Sequence, residues 1–111
     1  MLRGWAPKRR QRIEAARKKN DMNNILRRIT NNDIQNGTFV IPEGVTKISV
    51  RAFEYCTSLS GIIIPDSVTE IGEDAFDWCK NLKKVSLPKK VRLGIGVFRG
   101  CHPDLEIEYR D

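Results

Sequence analysis

The chain has 111 residues, 40% of them apolar and 31% charged, which suits one domain with a small core and excludes several. Twenty Lys and Arg against fourteen Asp and Glu give a formal charge of +6. No apolar run approaches the ~20 residues needed to span a bilayer, and no apolar stretch follows the first basic residues as in a secretory signal, so a cytoplasmic location is expected, with a surface or organellar one left open.

The charge is not spread evenly. Residues 1–36 hold ten basic and three acidic side chains, whereas residues 37–111 hold ten and eleven. This asymmetry predicts two parts: a basic helical leader and N-terminal cap over 1–36, and a separate module over 37–111. Pro7 suits a first helical turn, and residues 8–19 are good helix formers without Gly or Pro. Asn20 and Asp21 are suited to break that helix and cap a second one. Ile25, Leu26 and Ile29 then share a face at helical spacing, predicting a second helix packed on the open end of the module.

From residue 39 the chain repeats itself every 23 residues. Pro42, Pro65 and Pro88 keep this step, as do Val45, Val68 and Val91, and Leu59, Leu82 and Leu105. Such a period marks one supersecondary unit stacked on its copies. In the middle copy Leu59, Ile62 and Ile64 point inward from a short strand, and Gly61 and Ile63 point outward. Pro65 ends the strand, Val68 and Ile71 return to the core, Gly72 permits a turn, and Ala75, Phe76 and Cys79 line the inner side of a near-helical turn. In the last copy Pro88 to Phe98 is one residue short and Cys101 to Leu105 one long, as befits a terminal repeat. Leu105, Ile107 and Tyr109 alternate with Glu106, Glu108 and Arg110, the pattern of a half-exposed edge strand blunted by charge.

The string Ile-Pro-x-x-Val-Thr-x-Ile followed by Ala-Phe-x-x-Cys-x-x-Leu resembles the BspA-like leucine-rich repeats over residues 39–109. The resemblance implies an α+β leucine-rich-repeat solenoid, here of about three coils with a parallel strand ribbon behind the basic helical segment. It also implies adhesion or partner binding rather than catalysis.

Candidate chemistry is sparse. Cys56, Cys79 and Cys101 each lie three residues after a phenylalanine and predict a buried column of reduced thiols. His102, the single histidine, reads as a turn residue and not as the base of a Cys101 nucleophile. No C-x-x-C spacing supports zinc, so no metal or cofactor is expected. Gly94, Gly96 and Gly100 miss the dinucleotide-loop spacing by one residue. Glu54, Glu73, Asp74 and Asp77 predict a solvated acidic edge.

Two binding surfaces remain. The outward strand positions are Thr38 and Val40, Gly61 and Ile63, and Lys84 and Ser86. Among them Val40, Ile63 and Lys84 are the candidate protein-binding residues of the sheet face. Tyr55 and Trp78, at equivalent places on successive coils, are candidate aromatic anchors or covers for their own coils. The second surface is Lys8, Arg9, Arg10, Arg12, Arg17, Lys18 and Lys19, dense enough to neutralise the phosphates of RNA or DNA. A solubilising tail, a presequence or an anionic membrane surface would also suit that segment. The expected function is a non-enzymatic protein-interaction module with a basic arm, the alternative being nucleic-acid or ribonucleoprotein binding through the arm. With so few repeats, pairing between copies through a free strand edge is a further expectation.

Overall fold

The computed structural model describes residues 24–111. The basic helix expected over 8–19, with its seven candidate phosphate-binding side chains, lies outside the described residues.

The repeat folds as a course of short strands and turns that winds about four times, so that each part of a turn lies on the same part of the one before. The strands are β1 (Ile25–Leu26), β2 (Lys47–Ile48), β3 (Gly61–Ile63), β4 (Glu70–Ile71), β5 (Lys84–Pro88), β6 (Arg92–Leu93) and β7 (Glu106–Arg110). They form two parallel ribbons, β1-β2-β4-β6 and β3-β5-β7. A parallel pair needs a long crossover between its strands, and here each crossover is the rest of one turn. Register is kept throughout: Leu26, Ile48, Ile71 and Leu93 align in the first ribbon, and Ile62, Val85 and Ile107 in the second.

Three expectations need correction. Ile25 and Leu26 do not begin a second helix; they pair in parallel with Lys47 and Ile48. The 3.6-residue spacing of Ile25, Leu26 and Ile29 is equally met by a strand followed by a turn, and stacking decides between them: the Ile29 N–H donates to the Ala52 carbonyl of the next coil at 2.7 Å. The stack therefore has about four turns instead of three. The Ala-Phe-x-x-Cys segments keep the near-helical turn expected of them: the Ala75, Asp77 and Cys79 N–H groups donate three residues back, to Gly72, Asp74 and Phe76, while the alternate amides bond to the neighbouring coil, as Phe53 does to Ala75 and Phe76 to Val97. The α part of the expected α+β class is what needs correction. Among the described residues there is no α-helix, only one turn of 3-10 helix at Asn31–Asp33, closed by the Thr30 N–H donating to Asp33 Oδ2 at 2.9 Å.

The core is a single column. Leu26, Ile48, Ile71, Leu59, Leu82 and Val68 are fully buried within it. Phe53 and Phe76 stack with centroids 4.8 Å apart and planes 9° from parallel, and Phe98 continues the stack at 5.6 Å. Each thiol donates to a carbonyl one coil back: Cys56 to Ile29, Cys79 to Phe53 and Cys101 to Phe76, at 3.4, 2.9 and 3.3 Å. The Phe53 and Phe76 carbonyls thereby accept a second bond, beside those from the Cys56 and Cys79 N–H groups of their own turns, which the two lone pairs of a carbonyl allow. Gly72 has a packing role: a Cβ there would lie 2.7 Å from the Val50 nitrogen of the preceding coil, and Gly94 stands in the same relation to Glu73.

At the start of the second ribbon Asn36 and Gly37 have φ of 53° and 78°. They form a tight turn in which Gln35 and Thr38 exchange both backbone hydrogen bonds, the Asn-Gly hairpin signature. Thr38 is consequently buried, not outward-facing as its repeat position predicts. Among the described residues no helix is long and apolar enough to cross a membrane.

Candidate functional site

The ribbon β3-β5-β7 sets out its outward side chains in rows. Gly61, Lys84 and Glu106 form one row and Ile63, Ser86 and Glu108 the next. Lys84 is exposed and Ile63 half-buried, so these two candidates sit on neighbouring strands, one row apart. Val40 is half-buried one repeat earlier, in a segment outside the hydrogen-bonded ribbon. The face is bounded at its C-terminal rim by Arg110, whose guanidinium reaches back across the coils. It donates to Ser86 Oγ at 2.6 Å and to the Ile64 carbonyl, and it pairs with Asp66 at 2.8 Å. Period reading gave no sign of this strap, since Arg110 has no counterpart in the earlier copies.

Tyr55 and Trp78 belong to a different stretch of the coil, the turn that follows the first ribbon. The Tyr55 N–H donates to the Asp77 carbonyl and the Trp78 N–H to that of Arg99, so the two rings occupy adjacent coils. They are 56% and 49% exposed, and both residues have left-handed backbones, with φ of 61° and 59°. The matching position in the last coil is Gly100, φ 74°, and the Trp78 ring covers it: a Cβ there would come within 2.9 Å of Trp78 Cδ2.

Beside these rings the expected acidic edge is turned inside out. Asp74 and Asp77 are buried and only Glu73 is exposed. Asp74 lies between Arg99, at 3.1 Å, and Arg51, at 3.9 Å; Glu54 lies between Arg51 and Arg28, at 3.6 and 3.7 Å. Asp74 Oδ1 and Asp77 Oδ1 are buried without a hydrogen-bond partner, Asp74 Oδ1 being held by its ion pair with Arg99. The carboxylates are sunk and the guanidiniums stand over them. Charge runs along the sequence hid this, because Arg51 and Arg99 meet Asp74 only across coils.

The thiols offer no nucleophile. Burial pushes the Cys56 and Cys101 thiols up to about 11 and Cys79 further still. The thiolate is the reactive form, so all three stay protonated near neutrality. His102 Nδ1 accepts the Asp104 N–H at 2.9 Å, closing a local turn. Among the described residues no group of three or more His, Cys, Asp or Glu side chains is arranged to hold a metal ion.

Winding, register and the Phe and Cys columns are those of a leucine-rich solenoid, and the family model of the BspA type leucine-rich repeat region, six copies, matches residues 22–109. The chain belongs to the BspA-type leucine-rich repeat family. The match begins close to β1, in line with the extra turn. No curated protein and no solved structure matches the chain. A BspA-type repeat region points to an interaction module, with protein as the expected class of partner.

Proposed function

We propose that this BspA-type repeat body is a non-enzymatic module that binds a protein partner through the outward face of β3-β5-β7. The observation that carries this reading is the row geometry. Parallel register holds Ile63 and Lys84 on adjacent strands of a fixed ribbon, and the Arg110 strap stiffens its rim. Solenoids use such repeated surfaces for extended contacts. A half-buried aliphatic beside an exposed lysine supplies an apolar centre and a polar border, the anatomy of an interface. The three free thiols, Cys56 and Cys79 buried and Cys101 half-buried, suit a reducing compartment such as the cytoplasm.

Affinity capture from native lysate, with and without nuclease, tests the reading. Protein retained after nuclease and lost on Ile63→Glu supports it; capture unchanged by that substitution overturns it. A second reading is favoured by one observation, that residues 1–23 hold eight basic and two acidic side chains while residues 24–111 hold twelve of each. On this reading the leader attaches to nucleic acid through Lys8, Arg9, Arg10, Arg12, Arg17, Lys18 and Lys19. Neutralising Arg9, Arg10, Arg17 and Lys18 would then remove both the binding and its salt dependence. No binding by the intact chain at low salt would end it.

A further inference from the structure

We infer that the open edge of β7 is a docking surface for strand addition, and that its occupant is an extended protein segment in which Lys or Arg alternate with apolar residues. This rests on the reading above that the repeat body binds protein, but it uses the edge of the ribbon β3-β5-β7 instead of its outward face.

The backbone offers a template on one side. β7 pairs with β5 and has no neighbour beyond it. The Glu106 N–H donates to the Lys83 carbonyl, and the Arg110 carbonyl accepts the Lys89 N–H, so these residues turn to the preceding coil. Ile107 and Tyr109, in alternation with them, turn their N–H and C=O groups to the open side, as an edge strand does. An extended segment laid there continues the ribbon by main-chain bonds, and its alternate side chains are selected by what β7 presents. Inward it presents an unfinished core. Leu105, Ile107 and Tyr109 stand where Leu82, Val85 and Leu87 of the preceding coil are at most 2% exposed. Tyr109 is nevertheless 55% exposed and the other two half-buried. The facing residues of the occupant are therefore apolar.

Charge selects the residues between them. Residues 104–111 hold four acidic side chains and one basic. Glu106 and Glu108, the outward pair, are exposed, and among the described residues neither makes an ion pair. Arg110 is engaged with Asp66 and Lys89 with Asp111, and Lys84, the row neighbour of Glu106, forms no ion pair with it. Opposite charges on facing strands stabilise the pairing and like charges oppose it, so the occupant carries cations opposite these carboxylates. An acidic segment is disfavoured. So is a second copy of this chain: β7 paired along its whole length with another β7, in either direction, sets Glu108 against Glu108. The phosphates of a nucleic acid meet the same repulsion.

The test uses the full chain and short peptides in which Lys alternates with Val or Ile. Peptides with Glu in place of Lys, and peptides of the same composition with every Lys in one block, are run beside them. The alternating basic peptide should bind saturably and more tightly than either control, and it should protect the Ile107 and Tyr109 amides from hydrogen exchange. Joint Glu106→Gln and Glu108→Gln substitution should weaken that binding about tenfold without lowering the melting temperature, since both side chains are exposed and unpaired. Should that variant melt early, Tyr109→Pro, which removes an edge donor where proline is tolerated, reads the same loss. Ile63→Glu should leave this binding intact, which separates failure of the edge from failure of the sheet face. Absence of binding, equal binding of a control peptide, binding that leaves the two amides unprotected, binding that survives the edge variants, or binding lost with Ile63→Glu overturns the proposal. Protection of the same amides by self-association of the chain, without peptide, overturns it as well.

Discussion

Gly72 and Gly61 differ in what a methyl group would meet, and the difference is testable. A Cβ at 72 would press on the Val50 backbone nitrogen at 2.7 Å, while at 61 it would find ordinary contact with the Lys84 carbonyl at 3.6 Å. Gly72→Ala should therefore lower the urea midpoint clearly, by about 1–3 kcal/mol as overpacking does, and Gly61→Ala should leave it within about 0.5 kcal/mol. The thiols make a second residue-level prediction. Burial raises the folded pKa of Cys56 and Cys101 from 9.0 to about 11, so the unfolded chain loses these protons first as pH climbs. Their contribution to stability is complete below pH 9 and is lost as pH rises through about 11. Urea melts across that range should show a fall that is smaller in Cys56→Ala. The left-handed sites at Tyr55 and Trp78 were not legible in the sequence, because the glycine that reveals them occurs only in the last copy, and there the period has slipped by one residue.

At the scale of elements, β7 has a neighbour on one side only, and its hold on the stack is strengthened by Arg110. Arg110→Ala removes charge-assisted bonds to Ser86 and Asp66, worth about 1–2 kcal/mol in a partly exposed setting. Backbone amides of β7 should then exchange faster while those of β5 keep their protection, as hydrogen exchange can show. Equal protection of β7 in parent and variant would mean the strap is idle. The strands at Gly61–Ile63 and Lys84–Pro88 were legible because period-2 alternation closed by a proline, Pro65 or Pro88, marks them, whereas the same pattern before Pro42 forms no strand. The helix expected from Ile25, Leu26 and Ile29 was not corrected by any local signal; a short apolar cluster suits strand and helix alike, and only the hydrogen bonds offered by the next coil distinguish them. The Ala-Phe-x-x-Cys turns were legible as near-helical; what the sequence did not show is that every second amide bonds between coils instead of within the turn.

For the whole molecule, the 23-residue step made the solenoid and its inward residues legible from sequence, while the charge map of its surface was not. Interactions across coils, such as Arg51 and Arg99 with Asp74, join residues far apart in the chain and follow from winding, not from sequence neighbourhood. Repeat stacks are held by contacts between adjacent coils, so Phe76, which stacks on both Phe53 and Phe98, should be the costliest ring to lose, at about 3–5 kcal/mol for Phe76→Ala. Phe98→Ala, at the half-buried end, should cost less. Both the sheet face and its open β7 edge exist only if the coils stack in this register. Ring-to-ring nuclear Overhauser contacts in a chain labelled at phenylalanine measure that directly. The account predicts contacts from Phe76 to both Phe53 and Phe98 and none between Phe53 and Phe98; a Phe53–Phe98 contact, or three rings without mutual contacts, would contradict it.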